Sequence, residues 1–178
     1  MRIAICGKMC SGKSTLAQYI KNKIEEELKC NIVIDSFAKK VYDIAYELFN
    51  MKEKNRKLLQ SIGTKMREID PNVWANYIEN KYNSNSNVII DDLRYENEAT
   101  MLKKNGFFII KLEISHELQH KRIKDLYKSD YNNHIKNINH QSENSIDNLD
   151  NSIFDLIINV DKDNINKIIQ KEFMKMLA

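Results

Sequence analysis

Gly7-Lys8-Met9-Cys10-Ser11-Gly12-Lys13-Ser14 is the stretch on which the fold turns. It satisfies G-x-x-x-x-G-K-[ST] at every fixed position, and its flanks supply the context that pattern needs. Ahead of it, Arg2 to Cys6 is an apolar run of strand length. Behind it, Lys13 to Lys29 places Leu16, Ile20, Ile24 and Leu28 on one helical stripe. Strand, loop and helix in that order make a phosphate-binding loop. Glycines let successive N–H groups turn inward as an anion nest, and the helix N-terminus adds partial positive charge. The expected cradle runs over Gly7, Lys8, Cys10, Ser11, Gly12 and Thr15. Lys13 is expected on the β- and γ-phosphates of ATP, and the Ser14 hydroxyl on Mg²⁺. The motif predicts binding of a nucleoside triphosphate and leaves the acceptor of any phosphoryl group open.

Outward from the loop, strands and helices alternate. Asn31 to Asp35 reads as a second strand. Ser36 to Phe49 reads as a helix with Phe37, Val41, Ile44, Ala45 and Leu48 inward. Glu53 to Glu68 is helical in pattern. Asp70 suits an N-cap and Pro71 a first helical position, which predicts a further helix to about Tyr82. Asn83 to Asn87 is a polar loop, Val88 to Asp92 a strand, and Tyr95 to Lys104 a helix that Gly106 ends. Phe107 to Ile114 is a strand and His116 to Lys128 a helix. Ser129 to Asn151 is polar and reads as a mobile segment. Phe154 to Val160 is a last strand, followed by a helix from about Asn164. The pattern predicts an α/β P-loop NTPase fold, a five-stranded parallel sheet with helices on both faces. One domain spans residues 1–178, with a helical region at about 36–82 and an insertion at about 117–150.

The composition is that of a globular domain: 42% hydrophobic and 30% charged residues, with a formal net charge of +3. That charge is too small to argue for a nucleic-acid or membrane-surface partner. No run of eighteen apolar residues predicts a membrane span, and Ile3 to Cys6 is too short for the core of a signal peptide. Cys6, Cys10 and Cys30 lack metal-ligand spacing and read as reduced thiols of a cytoplasmic protein. Lysine is the default cation. The arginines are Arg2, Arg56, Arg67, Arg94 and Arg122. Each is therefore a candidate for the two-pronged grip on phosphate that a guanidinium provides.

A second motif is Val88-Ile-Ile-Asp91-Asp92-Leu-Arg94-Tyr-Glu-Asn97-Glu98. An apolar strand ending in a carboxylate is the expected place for an acid that holds Mg²⁺, and Asp92 is the candidate. Adjacent aspartates in a regular strand face opposite ways, so only one reaches the phosphates. Four patterns then resemble the deoxynucleoside monophosphate kinases of bacteriophages and large DNA viruses. They are Asp35-Ser-Phe37-Ala-Lys39-Lys40; Leu58-Leu59-Gln60-Ser-Ile-Gly63-Thr64 with Asp70-Pro71-Asn72-Val73-Trp74; Asp92-Leu-Arg94-Tyr95-Glu96-Asn97-Glu98; and His140-Gln-Ser142-Glu143. They occur in the family's order. Cys10 and Ser14 stand where that family often has an arginine and an acid, and Asn139 where an aspartate commonly precedes the histidine.

The resemblance implies ATP- and Mg²⁺-dependent phosphorylation of a deoxynucleoside 5′-monophosphate, a small-molecule acceptor, by a nucleoside-monophosphate-kinase-like fold with a helical lid, and a homodimer. It places the acceptor nucleoside near Asp35, Phe37 and Lys39 in the helical region, and a role for His140 and Glu143 in the lid. The acceptor phosphate needs cations other than Lys13; Arg67 and Arg94 are the candidates, and Arg122 is the candidate lid arginine. Trp74 offers a ring to stack on a base, although a lone tryptophan on an amphipathic helix is more often core. Two alternatives stand beside this reading. One is a kinase of another phosphorylated metabolite, similar to animal-type phosphomevalonate kinases; the other is a nucleotide-binding module without transfer.

Overall fold

The computed structural model describes residues 1–128, 131–139, 141–163, 169 and 171. Strands β1 (Arg2–Gly7), β2 (Val33–Asp35), β3 (Val88–Leu93), β4 (Phe108–Glu113) and β5 (Leu156–Asn159) form one parallel sheet in the order β2-β3-β1-β4-β5. All five strands are parallel, as the alternation predicts, and the loop-bearing strand is central. Residues of β1 point by turns to the two faces. Ile3 and Ile5 pack with Ile89, Ile110 and Leu112 against α1 (Lys13–Leu28), through Leu16, Ile20 and Ile24. Ala4 and Cys6 pack with Val88, Ile90 and Ile109 against the other face. That face is covered by α2 (Phe37–Phe49), α4 (Val73–Lys81) and α5 (Glu96–Lys104), through Phe37, Val41, Ala75, Ile78, Ala99 and Leu102. Each fully buried isoleucine contributes about 1.5–3 kcal/mol, and together they fix which way the strand ends face.

The β1–β3 register shifts between Ala4↔Ile90 and Cys6↔Leu93. Two residues of β3, Asp91 and Asp92, therefore stand opposite one residue of β1. A bulge of this kind redirects side chains beside functional sites, and here it separates the two aspartates.

Several element boundaries differ from expectation for local reasons. The second strand is shorter, because it lies at the sheet edge and Val33 is 49% exposed. Ser36 is the N-cap of α2, its hydroxyl accepting from Lys39 N–H, and not a helical residue. Leu48 is 75% exposed, in the last turn before left-handed Asn50. α3 (Arg56–Ile69) starts at the Asn55 cap. α4 starts at Val73, not Pro71, because Asp70 spends its side chain on Asn72 N–H and Asn76 Nδ2 in a turn.

After α6 (His116–Tyr127), the polar segment expected to be mobile contains packed structure. It holds the short helices α7 (Tyr131–Ile135) and α8 (Gln141–Asn144) and a 3₁₀ turn at Ser145–Asn148. Ile138, Ile146 and Leu149 are buried anchors without helical or strand period, so the sequence pattern does not reveal them. The candidate His140 and, apart from residues 169 and 171, the expected helix from Asn164 lie outside the described residues. Among the described residues no helix is long and apolar enough to cross a membrane.

Candidate active site

The P-loop closes between β1 and α1. Gly7 is required by space: a Cβ there would lie 2.6 Å from Ser11 Oγ and 3.0 Å from the Leu112 carbonyl. Gly12 is the N-cap of α1 at φ +102°, a conformation that side-chain-bearing residues rarely adopt. Lys13 Nζ donates to the carbonyls of Gly7 at 2.6 Å and Lys8 at 2.8 Å. Burial and the Arg94 charge push its ammonium down to about 8, against the pull of Glu143. Lys8 reaches outward to Asp147 at 2.7 Å. The Cys10 thiol is raised by burial, so it is not an activated thiolate.

The aspartates separate as the bulge dictates. Asp91 Oδ2 accepts from Ser14 Oγ at 3.0 Å, at the rim of the P-loop. Asp92 turns away and accepts from the N–H groups of Phe37 at 2.8 Å and Ala38 at 2.9 Å, holding the start of α2. Burial raises the Asp92 carboxyl to about 6. Asp92, the expected Mg²⁺-side acid, is thus engaged with the start of α2 while still lining the P-loop space. Asp91 is the carboxylate beside Ser14, and Asp92 holds the N-terminus of α2. A hydroxyl and a carboxylate oxygen are the hard donors that Mg²⁺ takes together with phosphate and water, so Ser14 and Asp91 fit that ion.

On the far side of Asp92 lies a cavity of about 240 Å³ between α2, α3 and the end of β3. Its wall carries Lys54, Arg56, Arg67 and Arg94, the rings of Phe37, Tyr42, Trp74 and Tyr95, and the polar Gln60 and Thr64. A second space of about 460 Å³, lined by Lys13, Ser14, Asp91 and Glu143, shares Arg56, Gln60, Asp92 and Arg94 with the first. The two spaces thus adjoin at Arg94. Trp74 is buried and its indole N–H donates to the Gly63 carbonyl at 3.3 Å, so it is both core and wall.

Arg94 is paired with Glu143 of the 117–150 insertion, whose other oxygen accepts from Met9 N–H of the P-loop at 2.7 Å. Burial pulls the Arg94 guanidinium down, but Glu143 overrides this and raises it. Arg67 donates to Glu98 at 3.2 Å and the Gly63 carbonyl at 3.3 Å, and its guanidinium lies over the Tyr95 ring at 4.1 Å. Arg122 of α6 donates to the carbonyls of Cys10 at 3.0 Å and Ser11 at 3.3 Å, bracing the outer side of the P-loop. With Thr15, Tyr19 and Leu126 it lines a separate space of about 620 Å³.

Asp35 and Lys39 lie outside both central spaces. Asp35 is buried and accepts from Lys81 Nζ at 2.5 Å, from Tyr82 Oη and from Ser36 N–H, with Lys39 Nζ 3.9 Å away. Burial raises its carboxyl, but these partners outweigh it and leave the group below its ordinary value. Its work is to tie β2 to the end of α4. Arg56, Lys54, Tyr42 and Gln60 belong to the cavity wall although the motif reading does not select them. The rarity of arginine was the one available signal for Arg56, which also lies 3.0 Å from His134 Nδ1 of the insertion.

Sheet order, loop and helix placement define a P-loop α/β fold of the kinase type. The sequence profile of the AAA domain family matches residues 3–147, and the chain belongs to that family. No curated protein sequence matches the chain. Solved structures share the fold at low identity. APS kinase from Mycobacterium tuberculosis, solved with AMPPNP and APS, has a TM-score of 0.57 at 13% identity, covering 99% of this chain and 98% of its own. Shikimate kinase from Bacteroides thetaiotaomicron has a TM-score of 0.55 at 16%, covering 100% and 99%. A gluconokinase from Sinorhizobium meliloti has 0.53 at 12%, covering 95% and 87%.

Proposed function

We propose that the protein is a deoxynucleoside monophosphate kinase, moving the γ-phosphoryl group of ATP in line onto a deoxynucleoside 5′-monophosphate. The observation that carries this reading is Arg94, which stands on the wall of both the P-loop space and the cation-rich cavity. A donor phosphate on Lys13 and an acceptor phosphate in the cavity would meet there. Arg67 and Arg56 supply further positive charge for the acceptor. Phe37, Tyr42, Trp74 and Tyr95 give flat apolar faces, and Gln60 and Thr64 give hydrogen-bonding groups, a combination suited to a planar base. A phosphorylated metabolite without a base would leave those rings unused.

In this reading Lys13 and the loop amides bind and orient the triphosphate. Ser14 and Asp91 hold Mg²⁺, which when bound neutralises charge on the phosphate oxygens. Arg94 bridges donor and acceptor, Arg122 braces the P-loop, and the insertion shields the site from water. No covalent intermediate is required: the acceptor phosphate oxygen attacks, the β–γ bond breaks, and ADP leaves.

The test is a coupled assay of ADP release over all NMPs and dNMPs. Acceptor-dependent turnover strongest with one or more dNMPs is expected. Absence of acceptor-stimulated release with every nucleotide would overturn the proposal. Turnover with base-free phosphorylated acceptors would move it to the metabolite-kinase alternative, and tight ATP binding without any turnover to the module without transfer.

A further inference from the structure

Glu98 is 2% exposed and belongs neither to the P-loop nor to the wall of the P-loop space. A buried carboxylate is costly unless charge and hydrogen bonds compensate it. Here they come from three directions. Oε2 accepts the main-chain N–H groups of Arg94 and Tyr95, each at 3.1 Å. Oε1 leaves its own helix and accepts from Arg67 Nη2 on α3 at 3.2 Å.

We infer that Glu98 is the positioning residue of the acceptor site. One carboxylate references the Arg67 guanidinium and the Arg94 main chain to each other, so that both cations face one phosphate. The inference rests on the cavity accepting a phosphorylated substrate, as proposed above.

A helix cap alone does not account for the arrangement. Capping α5 uses Oε2 only, and an exposed glutamate at the same turn does that work. The second oxygen is instead committed to a cation 31 residues away in sequence. Arg67 is held on two more sides, by the Gly63 carbonyl and the Tyr95 ring, and Tyr95 itself is fixed by Glu98 through its N–H. The guanidinium keeps donors to spare, because it has five and the carboxylate and the carbonyl each take one. Arg67 therefore reaches the cavity pre-oriented. Lysine could not replace it, since a single ammonium cannot serve Glu98, Gly63 and a phosphate in one plane.

The experiment compares wild type, Glu98→Gln, Glu98→Asp, Arg67→Ala and the double variant Glu98→Gln/Arg67→Ala. Readouts are kcat and separate KM values for ATP and for each dNMP, and melting temperature. A third readout is the affinity for inorganic phosphate, followed by fluorescence of Trp74, the single tryptophan, on the cavity wall. Glu98→Gln should raise acceptor KM about tenfold or more with ATP KM within about twofold, the cost of a misplaced binding group. The double variant should fall within about threefold of the worse single variant, because both changes remove one interaction. Glu98→Asp keeps the charge and should lie between wild type and Glu98→Gln. It also serves as the reading if Glu98→Gln does not fold.

An unchanged acceptor KM, equal rises in both KM values, or additive effects in the double variant would overturn the inference. If wild type used no dNMP, the kinase reading would fail while the phosphate titration still decided this one. Weaker phosphate binding in the Glu98 variant would support it, and unchanged binding would overturn it.

Discussion

ATP binding should consume protons above pH 8, and Lys13 is the reason. Without ligand its ammonium is buried against the Gly7 and Lys8 carbonyls, and desolvation together with the Arg94 charge sets it at about 8. Phosphate oxygens in contact would return it toward its ordinary 10.5. The sign follows. As pH rises through 8 the free protein loses this proton and the complex keeps it, so affinity falls by up to tenfold per pH unit. One unit above the midpoint about ten in eleven free molecules are neutral at Lys13, so the Kd for ATP at pH 9 should be about tenfold that at pH 7. Calorimetry in two buffers of different ionisation enthalpy should show uptake of about 0.5 proton at pH 8 and about 0.9 at pH 9. Asp92 at about 6 and Glu98 at about 7 titrate below this window, as does the last phosphate proton. Lys13→Arg, which stays charged, should bind with no such uptake. An uptake below about 0.1 proton at pH 9 in wild type would refute the assignment, because the linkage relation leaves no other route for it.

The two aspartates should separate by assay. Asp91→Asn should lower kcat about 10²-fold or more and raise the Mg²⁺ needed for half-activity, as expected for loss of a metal-side carboxylate. Asp92→Ala leaves two helix N–H groups unpaired, a loss of about 1–3 kcal/mol that thermal melting should report as a fall of about 3–10 °C. Arg94→Ala should raise acceptor KM about tenfold or more while the Kd for ATP, by calorimetry, stays within about threefold. The raised carboxyls of Asp92 and Glu98 make the folded protein hold protons that the unfolded chain releases near 3.8 and 4.5. Their contribution is present at low pH and lost as pH rises through about 6 and about 7, so Tm should be higher at pH 5.5 than at 7.5, by about 2 °C or more. Equal Tm values at the two pH values would contradict both shifts.

The P-loop and the sheet are legible in the sequence because each depends on local pattern. Glycine spacing writes the loop, and unbroken apolar runs such as Val88–Ile90 write buried parallel strands. What is not legible is what depends on a partner elsewhere. Asp91 and Asp92 are interchangeable in sequence, and only the β1–β3 register shift decides which of them meets Ser14. Asp35 resembles a ligand by motif, yet Lys81 and Tyr82, on the far side of α3 in sequence, claim it. Arg56 carries no motif at all and acquires meaning when α3 turns its first residue into the cavity.

The cations of the cavity differ in how their charge is already balanced, and that difference orders their roles under the proposed reaction. Arg67 is paired with Glu98, which is built into α5 and cannot leave without exposing the start of that helix. Arg94 is paired with Glu143, which comes from a four-residue helix in the 117–150 insertion and also accepts from Met9 N–H of the P-loop. A carboxylate seated on a loop amide and an arginine occupies ground that phosphate oxygens would also take. Exchange of Glu143 for phosphate costs no buried cap, whereas exchange of Glu98 does. Under the proposed reaction an incoming phosphate would compete with Glu143 for Arg94 and would add to Glu98 at Arg67.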